Sequence, residues 1–99
     1  MNVPSTPHAG PRFKPGRILA TLGALEVIAD AHVSLVDLLI RHLRGDWGEL
    51  SDSDREQNER AITAGQRIVS NYVLPDGGTV WIITEADRFA TTFLLPGEY

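Results

Sequence analysis

From residue 67 onward apolar and polar positions alternate, whereas before it apolar residues recur mainly at helical spacings of three and four. The change of period divides the chain into a helical first part and a sheet-forming second part. The earliest apolar run, "RILATL" at 17–22, reads as a strand or as the first turn of a helix. The glycines that bracket it, Gly16 and Gly23, favour a strand. Good helix formers follow in "ALEVIADA", 24–31, so Gly23 is expected to mark a strand-to-helix junction. Ser34 with Asp37 matches a capping box and opens a helix over about 35–44. Leu35, Leu38, Leu39 and Leu43 form its apolar stripe, which Val36 and Ile40 widen, so this helix should be deeply buried. Arg41 and Arg44 suit its negative C-terminal end, and Gly45 stops it. Ser51 with Asp54, or Ser53 with Glu56, caps a third helix that ends at Gly65. Its few apolar residues, Ala61, Ile62 and Ala64, predict a surface helix touching the core along one narrow edge.

The alternating part reads as three strands, "RIVSNYVL", "TVWIITE" and "ATTFLLP", joined by the turns "PDGG" and "ADRF". Asp76-Gly77-Gly78 is a strong hairpin signal. Val69, Val73, Trp81, Ile83 and Leu94 suggest the sheet face that meets the helices. Tyr72, Ile82 and Phe93 hold the alternate positions, so the second face is apolar too and is either a partner surface or covered by the N-terminal arm. The expected fold is an α+β two-layer domain: one short N-terminal strand, three helices, then a three-stranded antiparallel meander. Residues 1–16 hold four of the six prolines and read as a flexible arm; residues 17–99 form the single domain.

Composition narrows the function classes. A chain of 99 residues, 42 % apolar and 22 % charged, fits one ordinary globular domain. Without cysteine it has no disulfide, thiolate nucleophile or cysteine-based zinc site, which fits a reducing cytoplasm. No apolar run reaches the ~18 residues of a membrane span. The N-terminus lacks the apolar stretch of a secretory signal. A net charge of −4 and a pI of about 5.2 disfavour direct binding to nucleic acid.

Two sets of residues can carry function. In the first, His42 between arginines acts as general acid or base, Arg41, Arg44 and Arg88 hold a phosphate, and Thr84, Thr91 or Thr92 and Tyr99 supply hydroxyls. The bland account makes His42 a surface residue and pairs the arginines with nearby acids. In the second set, residues 45–59 carry Asp46, Glu49, Asp52, Asp54, Glu56 and Glu59 against Arg55 alone. That density exceeds what helix capping requires and suits docking on a basic partner. Trp47, framed by Gly45 and Gly48, is either a lid over the core or an exposed anchor for that partner. His42, Asp46 and Glu49 are too weak a ligand pattern for a metal site, and no cofactor is expected.

The blocks "FKPGRILATLGALE", "RHLRGDWGEL", "SDRE…N…A…G…RIVSNY" and "WIITEADRFATTFLLPGEY" together resemble a family of small bacterial proteins. That family is found on plasmids and other mobile elements, labelled plasmid-related and at times restriction-associated. The resemblance covers about residues 13–99 and implies a genomic setting rather than an activity. In architecture, helices with an Arg-His pair before a sheet bearing late Thr and Tyr residues also look like the barnase–EndoU–colicin–RelE group of ribonuclease toxins. Under that resemblance the catalytic candidates are Arg41, His42, Arg88, Thr92 and Tyr99.

The leading expectation is a small acidic interaction protein of a mobile element. It would inhibit a host defence system, in the anti-CRISPR or antirestriction manner, by binding a basic surface such as that of a defence nuclease complex. The expected contacts are Asp46, Trp47, Glu49, Asp52, Asp54 and Glu56, with no catalytic residue; the alternative is the ribonuclease-type toxin.

Overall fold

The computed structural model describes residues 10–99. The elements run β1 (Arg17–Ala20), α1 (Leu22–Asp30), α2 (Leu35–Leu43), α3 (Asp52–Ala64), β2 (Ile68–Val73), β3 (Thr79–Thr84), β4 (Ala90–Leu94) and a 3₁₀ turn at Pro96–Glu98. The class is α+β, as expected. β2, β3 and β4 form the antiparallel meander, with Ser70 opposite Ile82 and Ile83 opposite Thr92. The sheet is not confined to the meander, however. β1 pairs parallel to β4, from Arg17 opposite Ala90 to Ala20 opposite Phe93. The result is a four-stranded mixed sheet in the order β1-β4-β3-β2. Pairing across some seventy intervening residues leaves no mark in a four-residue apolar run, so the partner of β1 could not be read from it.

Local chemistry sets the helix ends. The strand-to-helix junction is Thr21, not Gly23: the Thr21 hydroxyl accepts the Ala24 N–H at 3.0 Å and donates to Glu98 at 2.7 Å. Gly23 lies in the first turn of α1, where a Cβ would stand 2.9 Å from the Leu95 and Glu98 side chains. Ser34 caps α2 and Ser51 caps α3, each accepting an N–H three residues on. α2 closes in a Schellman motif, Gly45 N–H to His42 C=O and Asp46 N–H to Arg41 C=O. α1 closes the same way, but with His32 at the left-handed position, φ +58°. A histidine there carries a steric cost that glycine avoids.

The main core joins Ala24 and Ile28 of α1 and Leu38 of α2 to Tyr72, Leu74, Val80, Ile82 and Phe93. These sheet residues define the face covered by the helices. The expected assignment of faces is therefore reversed: Val69, Trp81, Ile83 and Leu94 line the far side, where the C-terminal turn lies against β3. Alternation shows that two faces exist but does not say which of two apolar faces the helices take.

The β2 edge is capped. Asn58 of α3 places its carboxamide on Val69, donating to the carbonyl at 2.8 Å and accepting the N–H at 3.2 Å. Next along the edge, Asn71 N–H donates to Trp47 C=O and Glu49 N–H donates to Asn71 C=O. The 47–49 backbone thus adds a bridge to the strand and seals it against further pairing. Gly48 sits in the middle of the bridge at φ +78°, where a Cβ would collide with the Asn71 carbonyl.

Residues 1–9 of the expected arm lie outside the described residues. From Gly10 on, the segment is docked on the domain. Arg12 N–H donates to Leu43 C=O at 2.8 Å, and the Arg12 guanidinium forks onto Glu59 at 3.0 and 2.7 Å. Phe13 packs with Trp47, Ala61 and Ile68 in a second apolar cluster.

His32→Gly should raise stability by about 1 kcal/mol by relieving the left-handed backbone. An unchanged or lower urea midpoint would contradict that account of the α1 terminus.

Candidate functional site

The residue that looked most like a catalyst is in the interior. His42, on the inner side of α2, is 0 % exposed. Its Nδ1 lies 2.6 Å from the Ser70 hydroxyl and its Nε2 lies 2.9 Å from Thr84 Oγ1. Thr84 in turn lies 2.7 Å from Thr91 Oγ1, and Thr91 donates to the Pro15 carbonyl at 2.7 Å. A carbonyl only accepts, so the direction of every proton follows from this end. Thr91 gives its proton to Pro15, Thr84 gives its proton to Thr91, and His42 Nε2 must carry the hydrogen that Thr84 accepts. Nδ1 is then bare and accepts from Ser70.

The ring is neutral, because burial pulls its pKa down from 6.5 to about 3. Phe13 stands edge-on to it at 5.3 Å and Trp47 at 6.0 Å. With both nitrogens engaged and no exposed surface, His42 is a structural hub rather than a group poised on a substrate.

The other catalytic candidates are spent or separated. Arg41 forks onto Asp46 at 2.7 and 3.2 Å and stacks over the Tyr72 ring at 4.5 Å. Arg88, at φ +62°, sends its guanidinium to the carbonyls of Ala61, Gln66 and Glu85 at 2.9, 2.7 and 3.0 Å. It ties the β3–β4 turn to the C-terminus of α3. Thr92 pairs with Ile83, and Tyr99 packs on Trp81 at 5.8 Å. Both therefore lie across the sheet from His42, whose partners Ser70 and Thr84 point to the helix side. The structure does not bring Arg41, His42, Arg88, Thr92 and Tyr99 into one site.

Of the expected partner contacts, two belong to the scaffold. Trp47 is 2 % exposed, so it is the lid and not an exposed anchor. Its indole N–H points to Glu59 Oε2 at 3.3 Å. Asp46 gives its carboxylate to Arg41 and its carbonyl to the Tyr72 hydroxyl at 2.6 Å. Arginine hydrogen bonds hold the Asp46 and Glu59 carboxyls below their ordinary pKa. Both acids are thus neutralised within the chain.

The other four, Glu49, Asp52, Asp54 and Glu56, are exposed and make no salt bridge among the described residues. The nearest cation in sequence, Arg55, donates instead to the Gly48 and Leu50 carbonyls. The four divide by direction. Asp52 and Glu56 are one helical turn apart on α3. Glu49 and Asp54 edge a groove of about 440 Å³ between the 49–51 loop, α3 and the far face of the sheet. Sequence reading did not bring Asn71, Arg67, Trp81 and Tyr99 together beside this groove. The one available signal was Trp81 on a sheet face already rich in apolar residues.

No protein-family model, no curated protein and no solved structure matches this chain. Among the described residues no helix is long and apolar enough to cross a membrane, and no three His, Cys, Asp or Glu side chains cluster as metal ligands.

The burial of His42 fixes a pH dependence. The folded ring stays neutral down to about pH 3, while the unfolded chain takes up a proton near 6.5. Between those values the unfolded chain binds more protons, so this contribution is complete above 6.5 and is lost as pH falls. Asp46 and Glu59 act in the same direction only lower, as pH falls through the carboxylate range. Between about pH 6.5 and 5, stability should therefore fall, the slope steepening from about 0.7 toward about 1.4 kcal/mol per unit. His42→Gln should flatten that slope, whereas a flat wild-type urea-midpoint profile would contradict the buried neutral ring. His42→Ala should cost about 3 kcal/mol by stranding Ser70 and Thr84.

Proposed function

We propose that the protein is a small acidic interaction module that docks on a basic protein surface. The observation that carries this is the unpaired quartet Glu49, Asp52, Asp54 and Glu56, set beside two acids that do have arginine partners. Helix capping accounts for Ser51 and for acids in the first turn of α3. It does not account for Glu56, which follows Asp52 at a spacing where like charges repel by about 0.2–0.5 kcal/mol. Nor does it account for Glu49, which precedes the helix. Charge held at a cost to the free protein is rational if a partner neutralises it.

The setting is a mobile genetic element, on the resemblance of "RHLRGDWGEL" and "WIITEADR" to plasmid-carried proteins. The partner class consistent with that setting is a host defence nuclease complex, of the restriction or CRISPR kind, whose nucleic-acid-binding surface is basic. The protein would act by occupying that surface. Asp46 and Trp47 support the presenting loop from within and are not themselves contacts.

Immobilised protein should capture such a complex from a bacterium that carries both systems, and should protect an incoming plasmid in the same strain. Replacing Asp52→Lys and Glu56→Lys together should reduce capture and protection by at least about tenfold. Capture should also weaken as salt rises. No recovered defence component, or capture indifferent to the charge reversal, would sink the proposal.

A further inference from the structure

The groove beside the acidic quartet has a floor, walls and rim of different chemistry. Its floor includes Asn71, whose Nδ2 donates to the Glu49 carbonyl at 3.0 Å. The other end of that carboxamide, Oδ1, is buried and has no hydrogen-bond partner. A buried acceptor without a donor is unusual and costs about 1–3 kcal/mol. Two rings, Trp81 and Tyr99, wall the groove at 5.8 Å and 60° to each other. The carboxylates of Glu49 and Asp54 stand at the rim without ion-pair partners among the described residues. Acceptors at floor and rim call for a ligand rich in donors; unpaired carboxylates call for a cation; aromatic walls call for a flat group that stacks.

From these features we infer that the groove is a receptor for an arginine side chain of the basic partner. This rests on the interaction-module reading above and names the group that the module seizes. A guanidinium is planar, carries five donors and one positive charge, and stacks on aromatic faces. A lysine ammonium supplies charge but is strongly hydrated and does not stack. The chain itself already sets a guanidinium on one of these rings. Arg67, at the end of the groove, lies 5.3 Å from the centre of the Tyr99 ring while its Nε reaches Glu85 at 3.7 Å. Because Glu85 balances Arg67, the charge of Glu49 and Asp54 is left for the incoming group. An arginine laid against the Trp81 ring would place its donors toward Glu49 or Asp54 and beside the Asn71 carboxamide.

The probe is a capped Gly-Arg-Gly peptide titrated into ¹⁵N-labelled full-length protein, with capped Gly-Lys-Gly and Gly-citrulline-Gly as controls. The arginine peptide should give saturable shifts confined to the Trp81 indole, the Asn71 side-chain amide and Tyr99. The lysine peptide should bind at least about fivefold more weakly. Citrulline, which keeps shape and most donors but lacks the charge, should give no saturable shift. Glu49→Gln with Asp54→Asn should weaken the arginine peptide by at least about fivefold while the rest of the spectrum is unchanged. Absent shifts, a response to citrulline or lysine equal to that to arginine, or indifference to the double substitution would each overturn the inference. Asp52→Lys with Glu56→Lys lies on another stripe of α3 and should leave peptide binding within about twofold. If that charge reversal abolishes partner capture while the arginine peptide gives no shifts, the groove inference falls and the interaction-module reading stands. If the peptide binds as expected but no defence complex is captured, the interaction-module reading falls by itself.

Discussion

Five polar groups in a largely apolar interior must all be satisfied at once, and the fold depends on how they are. Ser70 of β2, His42 of α2, Thr84 of β3, Thr91 of β4 and the Pro15 carbonyl form one hydrogen-bonded chain. Each proton is used once and each acceptor in the path is filled. A buried polar group left without a partner costs about 1–3 kcal/mol, so loss of any member penalises its neighbours. The chain links three strands, the second helix and the N-terminal segment. It explains why residues 10–16, proline-rich and polar by composition, are tied to the domain: the Pro15 carbonyl is the acceptor that sets the direction of the network, and Phe13 shields the imidazole.

The same constraint removes the expected catalytic side chains from use. An imidazole with both nitrogens engaged and burial against its protonation is unsuited to proton transfer with a substrate. Arg41, Arg88 and Trp47 are likewise used by the scaffold, each on an identified carbonyl or carboxylate, and Asp46 accepts from Arg41 and Tyr72. Around them the 46–49 loop is fixed: Schellman closure on one side, a bridge to β2 on the other, Trp47 driven inward between. On the proposed reading, a loop held this firmly would present Glu49 and the start of α3 with little freedom to lose on binding.

Much of the fold was legible because its signals are local. Capping serines at 34 and 51, glycine stops at 45 and 65, the Asp76-Gly77-Gly78 turn and the change to a two-residue period located three helices and the meander. What failed was non-local. The parallel pairing of β1 with β4 has no sequence mark. The inner sheet face was misassigned because Ser70, Thr84 and Thr91 make it look the more polar one, and their partners lie far off in sequence: His42 for Ser70 and Thr84, the Pro15 carbonyl for Thr91. The site divided in the same way. Acid density marked Glu49, Asp52, Asp54 and Glu56. Nothing in the local sequence said that Asp46 and Glu59 would be claimed by Arg41 and Arg12, or that Asn71, Trp81 and Tyr99 would meet beside the quartet.

His42 is a neutral structural hub of fixed proton direction, and long-range ¹H–¹⁵N correlation of its imidazole reads this directly. Nε2 should carry the hydrogen, Nδ1 should be bare, and neither resonance should titrate between about pH 8 and 5. A ring protonated on Nδ1, or one that titrates near 6.5, would contradict the network and return His42 to the list of candidate catalysts.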